Sequence, residues 1–206
     1  MMRRRYPSHD LAGAILATAC VGLLGCSTTP VEPVVEIPQQ AVLYTCCNLF
    51  HDSKLQINDG NYRTGTPLPA GTTIRITDVR RYTVLFEADG KVYTLTQRFG
   101  FSEPFPKYIE KIFMKESPAA KIDAYAEPVR GLVKTGKIAV GMSREQVLHA
   151  LGHPPRHGTP RIDFPVWKYW LGRFDEYFVY FDDAGRVKDV NARAPHVVPA
   201  ILANTQ

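Results

Sequence analysis

The sequence predicts an α+β protein: a small β-rich part, then two helices packed on a three-stranded antiparallel sheet. Three observations predict it. Residues from 41 to about 100 carry short runs in which apolar and polar residues alternate, separated by turn chemistry. Residues 141–154 spell out one complete short helix with a start and a stop. Residues 166–191 hold three strand candidates joined by tight turns. Helices set apart from an antiparallel sheet are the α+β pattern.

Residues 1–25 read as a leader rather than as part of the fold. Arg3, Arg4 and Arg5 form a basic start, and residues 11–24 are small and aliphatic. The run is too short for a transmembrane helix, which needs about 20 apolar residues. It fits a secretory signal. Leu23, Leu24, Gly25 and Cys26 resemble the lipobox of bacterial lipoproteins. That resemblance implies cleavage before Cys26 and acylation of its thiol, so the membrane is an expected partner through Cys26. Two or three acyl chains anchor stably, whereas one alone is marginal. Ser27, not aspartate, follows the cysteine, and by analogy the anchor goes to the outer membrane, facing the periplasm. Residues 26–40 contain Pro30, Pro33 and Pro38 and read as an extended tether.

Removal of residues 1–25 takes away three arginines and Asp10, so the formal charge falls from +5 to +3. That is too mild a balance to argue for nucleic acid. Cys46 and Cys47 would be the remaining thiols, in an oxidising compartment. They read as two buried thiols near a strand, with a strained vicinal disulfide or an intermolecular bridge as alternatives.

Residues 41–117 form the β-rich part. Ile74 and Ile76 share one face of a strand over 72–79, and Val84 and Phe86 alternate in 82–87. Asp89-Gly90 is a strong hairpin signal before 91–97, where Tyr93 and Leu95 face one way. Residues 67–71 are turn chemistry. The size, the proline-bounded loop and the Gly-Thr step into the next strand loosely resemble SH3-type barrels. Residues 105–115 read as one helix, with Pro106 in the first turn and Tyr108, Ile109, Ile112 and Phe113 on a core-facing side. Glu116, Ser117 and Pro118 mark the boundary.

Residues 118–193 form the α+β part. Pro128 opens a short helix that Gly136 stops. Ser143 is a good N-cap for a helix over 144–151, with Gln146 placed to close a capping box and Met142 and Val147 to form a staple. Val147, Leu148 and Leu151 make its apolar face. Gly152 suits a left-handed stop and Pro154 forbids continuation. Such a helix is marginal alone and must be held by packing. Strands follow over 166–171, 176–182 and 186–191, with Trp167, Tyr169, Val179 and Phe181 as core residues. The tail, residues 194–206, either docks on the sheet or stays mobile.

Gly141-Met142-Ser143, Gln146-Val147, residues 151–154, residues 167–170, residues 179–182 and residues 185–187 together resemble the SmpA/OmlA (BamE-like) domain family. The resemblance covers about residues 128–192. It implies two helices on a three-stranded antiparallel sheet. It also implies a role beside the machinery that assembles outer-membrane β-barrels, as an accessory lipoprotein. This chain departs from the family's best-known member by the long β-containing segment that precedes the matched region. That departure implies a domain-sharing lipoprotein with its own partner.

No catalytic constellation is read. His149, His153 and His157 recur every four residues, but Gly152, Pro154 and Pro155 end the helix before they can form a metal set. No metal or cofactor is expected. The partner-binding candidates are Trp170, Arg173, Phe174, Tyr177 and Tyr180, aromatics in excess of core needs with an arginine in the connecting loop. The expectation is a non-enzymatic outer-membrane lipoprotein that binds envelope proteins. The alternatives are a peptidoglycan-binding module acting through the β-rich part, and a ligand- or inhibitor-binding domain using the aromatic sheet face.

Overall fold

A computed structural model describes residues 41–98 and 103–203. The leader, Cys26, the tether and the last three residues lie outside the described residues. Among the described residues no helix is long and apolar enough to cross a membrane.

The β-rich part supplies seven strands in succession: β1 (Val42–Thr45), β2 (Leu49–His51), β3 (Gln56–Asn58), β4 (Thr66–Leu68), β5 (Thr73–Arg80), β6 (Thr83–Ala88) and β7 (Lys91–Thr96). Helix α1 (Phe105–Ile112) and a two-residue strand β8 (Phe113–Met114) follow. Six of these strands form one sheet in the order β3-β7-β6-β5-β1-β8, while β2 and β4 pair as a separate ribbon. The period-2 pattern puts Ile74, Ile76, Val84, Phe86, Tyr93 and Leu95 inside. Asp89 and Gly90 both take positive φ, 48° and 71°, which matches the twist a two-residue hairpin needs. Helix α1 lays Phe105, Tyr108, Ile109 and Ile112 on this core.

The structure corrects two boundaries here. The helix expected over 105–115 stops at Ile112, because Phe113 is extended and pairs with Thr45 of β1, adding β8 as the outermost strand of the sheet. Cys46 N–H also donates to the Ile112 carbonyl at 2.9 Å, so the sheet edge captures the chain before another turn can form. Pro67 and Leu68, expected in a turn, belong to β4. Pro67 is tolerated there because the ribbon has only two strands, each an edge.

The α+β part contains α2 (Ala119–Asp123), α3 (Val129–Thr135), α4 (Arg144–Leu151), β9 (Val166–Trp170), β10 (Glu176–Phe181), β11 (Val187–Ala192) and α5 (Val197–Ile201). The last three strands form an antiparallel meander in the order β11-β10-β9. Its inner face carries Trp167, Tyr169, Tyr177, Val179, Phe181 and Val190, packed with Val133, Val147 and Leu151 from the helices. Helix α3 ends at Gly136 with φ 66° and ψ 33°, and Gly136 and Lys137 N–H donate back to Val133 and Leu132. That is a Schellman stop. Helix α4 has the expected capping box, with Ser143 N–H donating to Gln146 Oε1 at 2.8 Å and Gln146 N–H to Ser143 Oγ at 3.3 Å. Met142 and Val147 are both buried beside it.

The tail docks, but not on the outer sheet face. Val197 and Ile201 are fully buried in the helix-covered core. Ile138 N–H donates to the Ile201 carbonyl and Ala203 N–H to the Ile138 carbonyl, which ties α5 to the segment before α4.

The two parts meet along a polar seam. Asn48, 1% exposed, donates through Nδ2 to the Val133 carbonyl at 2.7 Å and to the Ala150 carbonyl at 3.1 Å. Its Oδ1 accepts from Ala70 N–H, and its own N–H donates to the His149 carbonyl. Asn61, at positive φ, donates to the Asn48 and Leu151 carbonyls and accepts from Phe50 N–H. Tyr169 donates its hydroxyl to the Gly152 carbonyl at 2.9 Å. Four carbonyls at the end of α4 thus find partners outside the helix, where they would otherwise be orphaned. Gly152 consequently takes φ 84° and ψ −179°, not the left-handed stop expected of it. A Cβ there would lie 2.8 Å from Asn61 Nδ2.

Candidate functional site

Strand alternation sorts the expected binding residues by face. Tyr177, taken as a surface candidate, is fully buried beneath Tyr169, with ring centroids 5.6 Å apart. It follows Val179 and Phe181 in the period-2 pattern, so it belongs to the core and not to a partner surface. Its hydroxyl is shut from solvent without a partner, and burial pushes its pKa up while the nearby Arg63 guanidinium opposes that rise. Trp170 and Tyr180 lie on the opposite, outer face and are half-buried.

The outer face is built around Lys168. Its ammonium sits 4.9 Å from the Trp170 ring centroid and 5.5 Å from that of Phe178, and it pairs with Glu176. His157, from the loop before β9, covers Trp170 with ring centroids 4.9 Å apart. Thr159 in the same loop is buried and accepts the Lys168 N–H through Oγ1 at 2.8 Å, which fixes the loop on the edge of β9. Cation–π contacts of this kind contribute about 0.5–2 kcal/mol each.

Arg173 and Phe174 form the tip of the β9–β10 hairpin. Phe174 is 84% exposed and Arg173 stacks over its ring at 5.3 Å. The hairpin is closed behind them by Leu171 N–H donating to the Asp175 carbonyl at 2.8 Å. An aromatic ring held in water by a closed hairpin is the largest departure from burial in the described residues. It is a surface a partner can desolvate.

The tip stands beside a cleft on the β-rich part. Thr64 lies 3.5 Å from where a Gly172 Cβ would be, and the Tyr62 phenol is within electrostatic reach of Arg173. Thr64 and Tyr62 line a cleft of about 570 Å³ that also takes in His51, Gln56, Thr66 and Arg98. Sequence reasoning missed these residues, because they come from β2, β3, β4 and the loops beside them and share no local pattern.

The remaining chemistry-bearing residues are enclosed. Cys46 and Cys47 are buried as free thiols, and burial, reinforced by Cys47, pushes the Cys46 pKa well above its usual value. A protonated thiol of this kind is a poor nucleophile. His149 is buried and its Nδ1 lies 2.9 Å from the Tyr125 hydroxyl. His153 keeps part of its surface exposed, but its Nδ1 is closed off from solvent and has no partner. Burial pushes its pKa down to about 4, and Lys111 and His149 add to the shift. No cluster of metal-ligating side chains occurs among the described residues. No known family model, curated protein or solved structure matches the chain.

Proposed function

We propose that this chain is a non-enzymatic, lipid-anchored lipoprotein of the outer membrane that binds other proteins of the envelope through the Arg173–Phe174 hairpin tip. The exposure of Phe174 carries the reading, because an aromatic ring left in water forgoes roughly 2 kcal/mol of burial that a partner can recover. Arg173 beside it adds a guanidinium, and arginine with aromatic residues is the composition that dominates binding energy at protein interfaces. The outer sheet face that carries Lys168, Trp170 and Tyr180 belongs to the same meander as the tip. The lipobox-like residues 23–26 favour the membrane anchor. The order α3, α4, β9, β10, β11 is compatible with an SmpA/OmlA (BamE-like) domain over about residues 128–192, which favours a place beside barrel-assembly machinery.

Affinity purification of the lipidated full chain from solubilised membranes tests the proposal. Recovery of barrel-assembly components that is lost in Phe174→Ala, with folding unchanged, is the expected result. Capture of no such component removes the assembly role. Capture unaffected by Phe174→Ala removes the hairpin as the contact.

A further inference from the structure

The cleft beside the hairpin has a chemistry of its own. Its margin includes β3, the edge strand of the six-stranded sheet, and an exposed edge ordinarily invites an added peptide strand. That edge is already occupied. Asp52 N–H donates to the Gln56 carbonyl at 3.0 Å, Gln56 N–H donates to Asp52 Oδ1 at 2.9 Å, and Asn61 N–H donates to the Asn58 carbonyl at 2.9 Å. A peptide could add to β3 only by displacing these bonds.

Side chains therefore define what the cleft recognises. They are mostly uncharged hydrogen-bonding groups: the Gln56 amide and the hydroxyls of Ser53, Thr64 and Thr66. The charges present, Asp52 and Arg98, are one of each sign. His51 and Tyr62 add half-buried aromatic rings to the lining, while Phe50 and Ile57 contribute little surface, being 6% and 2% exposed. The His51 ring is held edge-on to Tyr93 at 5.2 Å, and its Nδ1 is 2.8 Å from the Asp52 carbonyl oxygen. The volume of about 570 Å³ falls within the 300–1,000 Å³ typical of small-molecule sites.

We propose that this cleft binds an uncharged oligosaccharide carrying acetamido groups. Dense neutral donors and acceptors match sugar hydroxyls, which alternate both roles around a ring. The aromatic rings of His51 and Tyr62 accept the apolar face of a pyranose, and the exposed Gln56 side-chain amide matches an acetamido group as both donor and acceptor. A strongly charged ligand finds no excess counter-charge here, and an extended peptide finds the β3 edge already bonded. The inference stands apart from the hairpin reading, since Phe174 is not among the residues that line the cleft.

The test is a backbone-amide NMR titration of the full chain with the β-1,4-linked tetramer of N-acetylglucosamine. Maltotetraose and an uncharged tetrapeptide serve as comparison probes. The expected result is saturable shifts in residues 51–58 and 64–66 with the acetylated tetramer. Gln56→Ala and Thr66→Val both alter exposed side chains. Each should weaken binding about tenfold while leaving the unfolding midpoint in place. Phe174→Ala should leave these shifts unchanged. Equal binding of maltotetraose overturns the acetamido assignment. Shifts with the tetrapeptide alone, shifts confined to the outer sheet face, or no shifts with the acetylated tetramer overturn the site.

Discussion

The two ends of helix α4 are finished in opposite ways. The N-terminal end is closed by residues three apart in sequence, Ser143 and Gln146, each answering the other's backbone N–H. The C-terminal end is closed by Asn48 and Asn61 from the β-rich part, 102 and 90 residues away along the chain. One end is local chemistry and is present wherever the segment turns helical. The other exists only once both parts have folded against each other. The helix therefore converts tertiary docking into secondary structure, and its stability reports on the seam.

The largest effect should come from breaking the distant end. Asn48→Ala removes three side-chain hydrogen bonds, leaves the Ala150 carbonyl and the Ala70 N–H without their partners, and leaves the Val133 carbonyl with the Gly136 N–H alone. A loss of about 3–5 kcal/mol is expected from urea unfolding followed by tryptophan fluorescence. A cost under about 1 kcal/mol would mean that water reaches the seam.

Acid should weaken the same end next. His153 follows Gly152 and faces Lys111, His149, Glu103, Tyr108 and Arg156. Its folded pKa of about 4 lies below the unfolded value of 6.5, so between these values the unfolded chain binds more protons. Stability is full above pH 6.5 and falls as the pH drops towards 4, by at most about 3 kcal/mol. His153→Gln should flatten most of that slope, leaving the smaller part that buried His149, whose pKa is also held down, contributes. An unchanged slope between pH 7 and 4 in this variant would assign the acid sensitivity elsewhere.

The local end should matter least. Ser143→Ala is expected to cost about 1 kcal/mol, read from the same urea midpoint, since it removes one cap bond that water can partly replace. If it costs as much as Asn48→Ala, the contrast between the two ends fails.

What could be read in the sequence follows the same division. The capping box, the Gly136 stop, the Asp89-Gly90 hairpin and the alternation of Val84 and Phe86 depend on neighbours within a few residues, and all are present in the structure. So is the three-stranded meander with Trp167, Tyr169, Val179 and Phe181 inside. The short helices α2 and α5 carry too few residues to print a period. The end of α1 at Ile112 and the conformation of Gly152 were set by partners far along the chain. Tyr177 is legible, since it alternates with Val179 and Phe181, yet the expectation places it among the aromatics in excess of core needs, and it is fully buried instead. Of the candidate site, Arg173 and Phe174 stood out as bulky residues in a turn. The cleft residues could not, because separate strands and the loops beside them bring them together.

The asparagine seam has a consequence for how this protein can change over generations. Asn48, Asn61 and Gly152 form a lock with one fitting key: two amides aimed at a helix end, and a glycine that leaves room for one of them. A shuffled gene that joined the α+β part to a different β-rich neighbour would bury the end of α4 against a surface with no amide in register. The two parts are thus bound to be inherited as a matched pair, and drift at any one of these three positions is constrained by the other two.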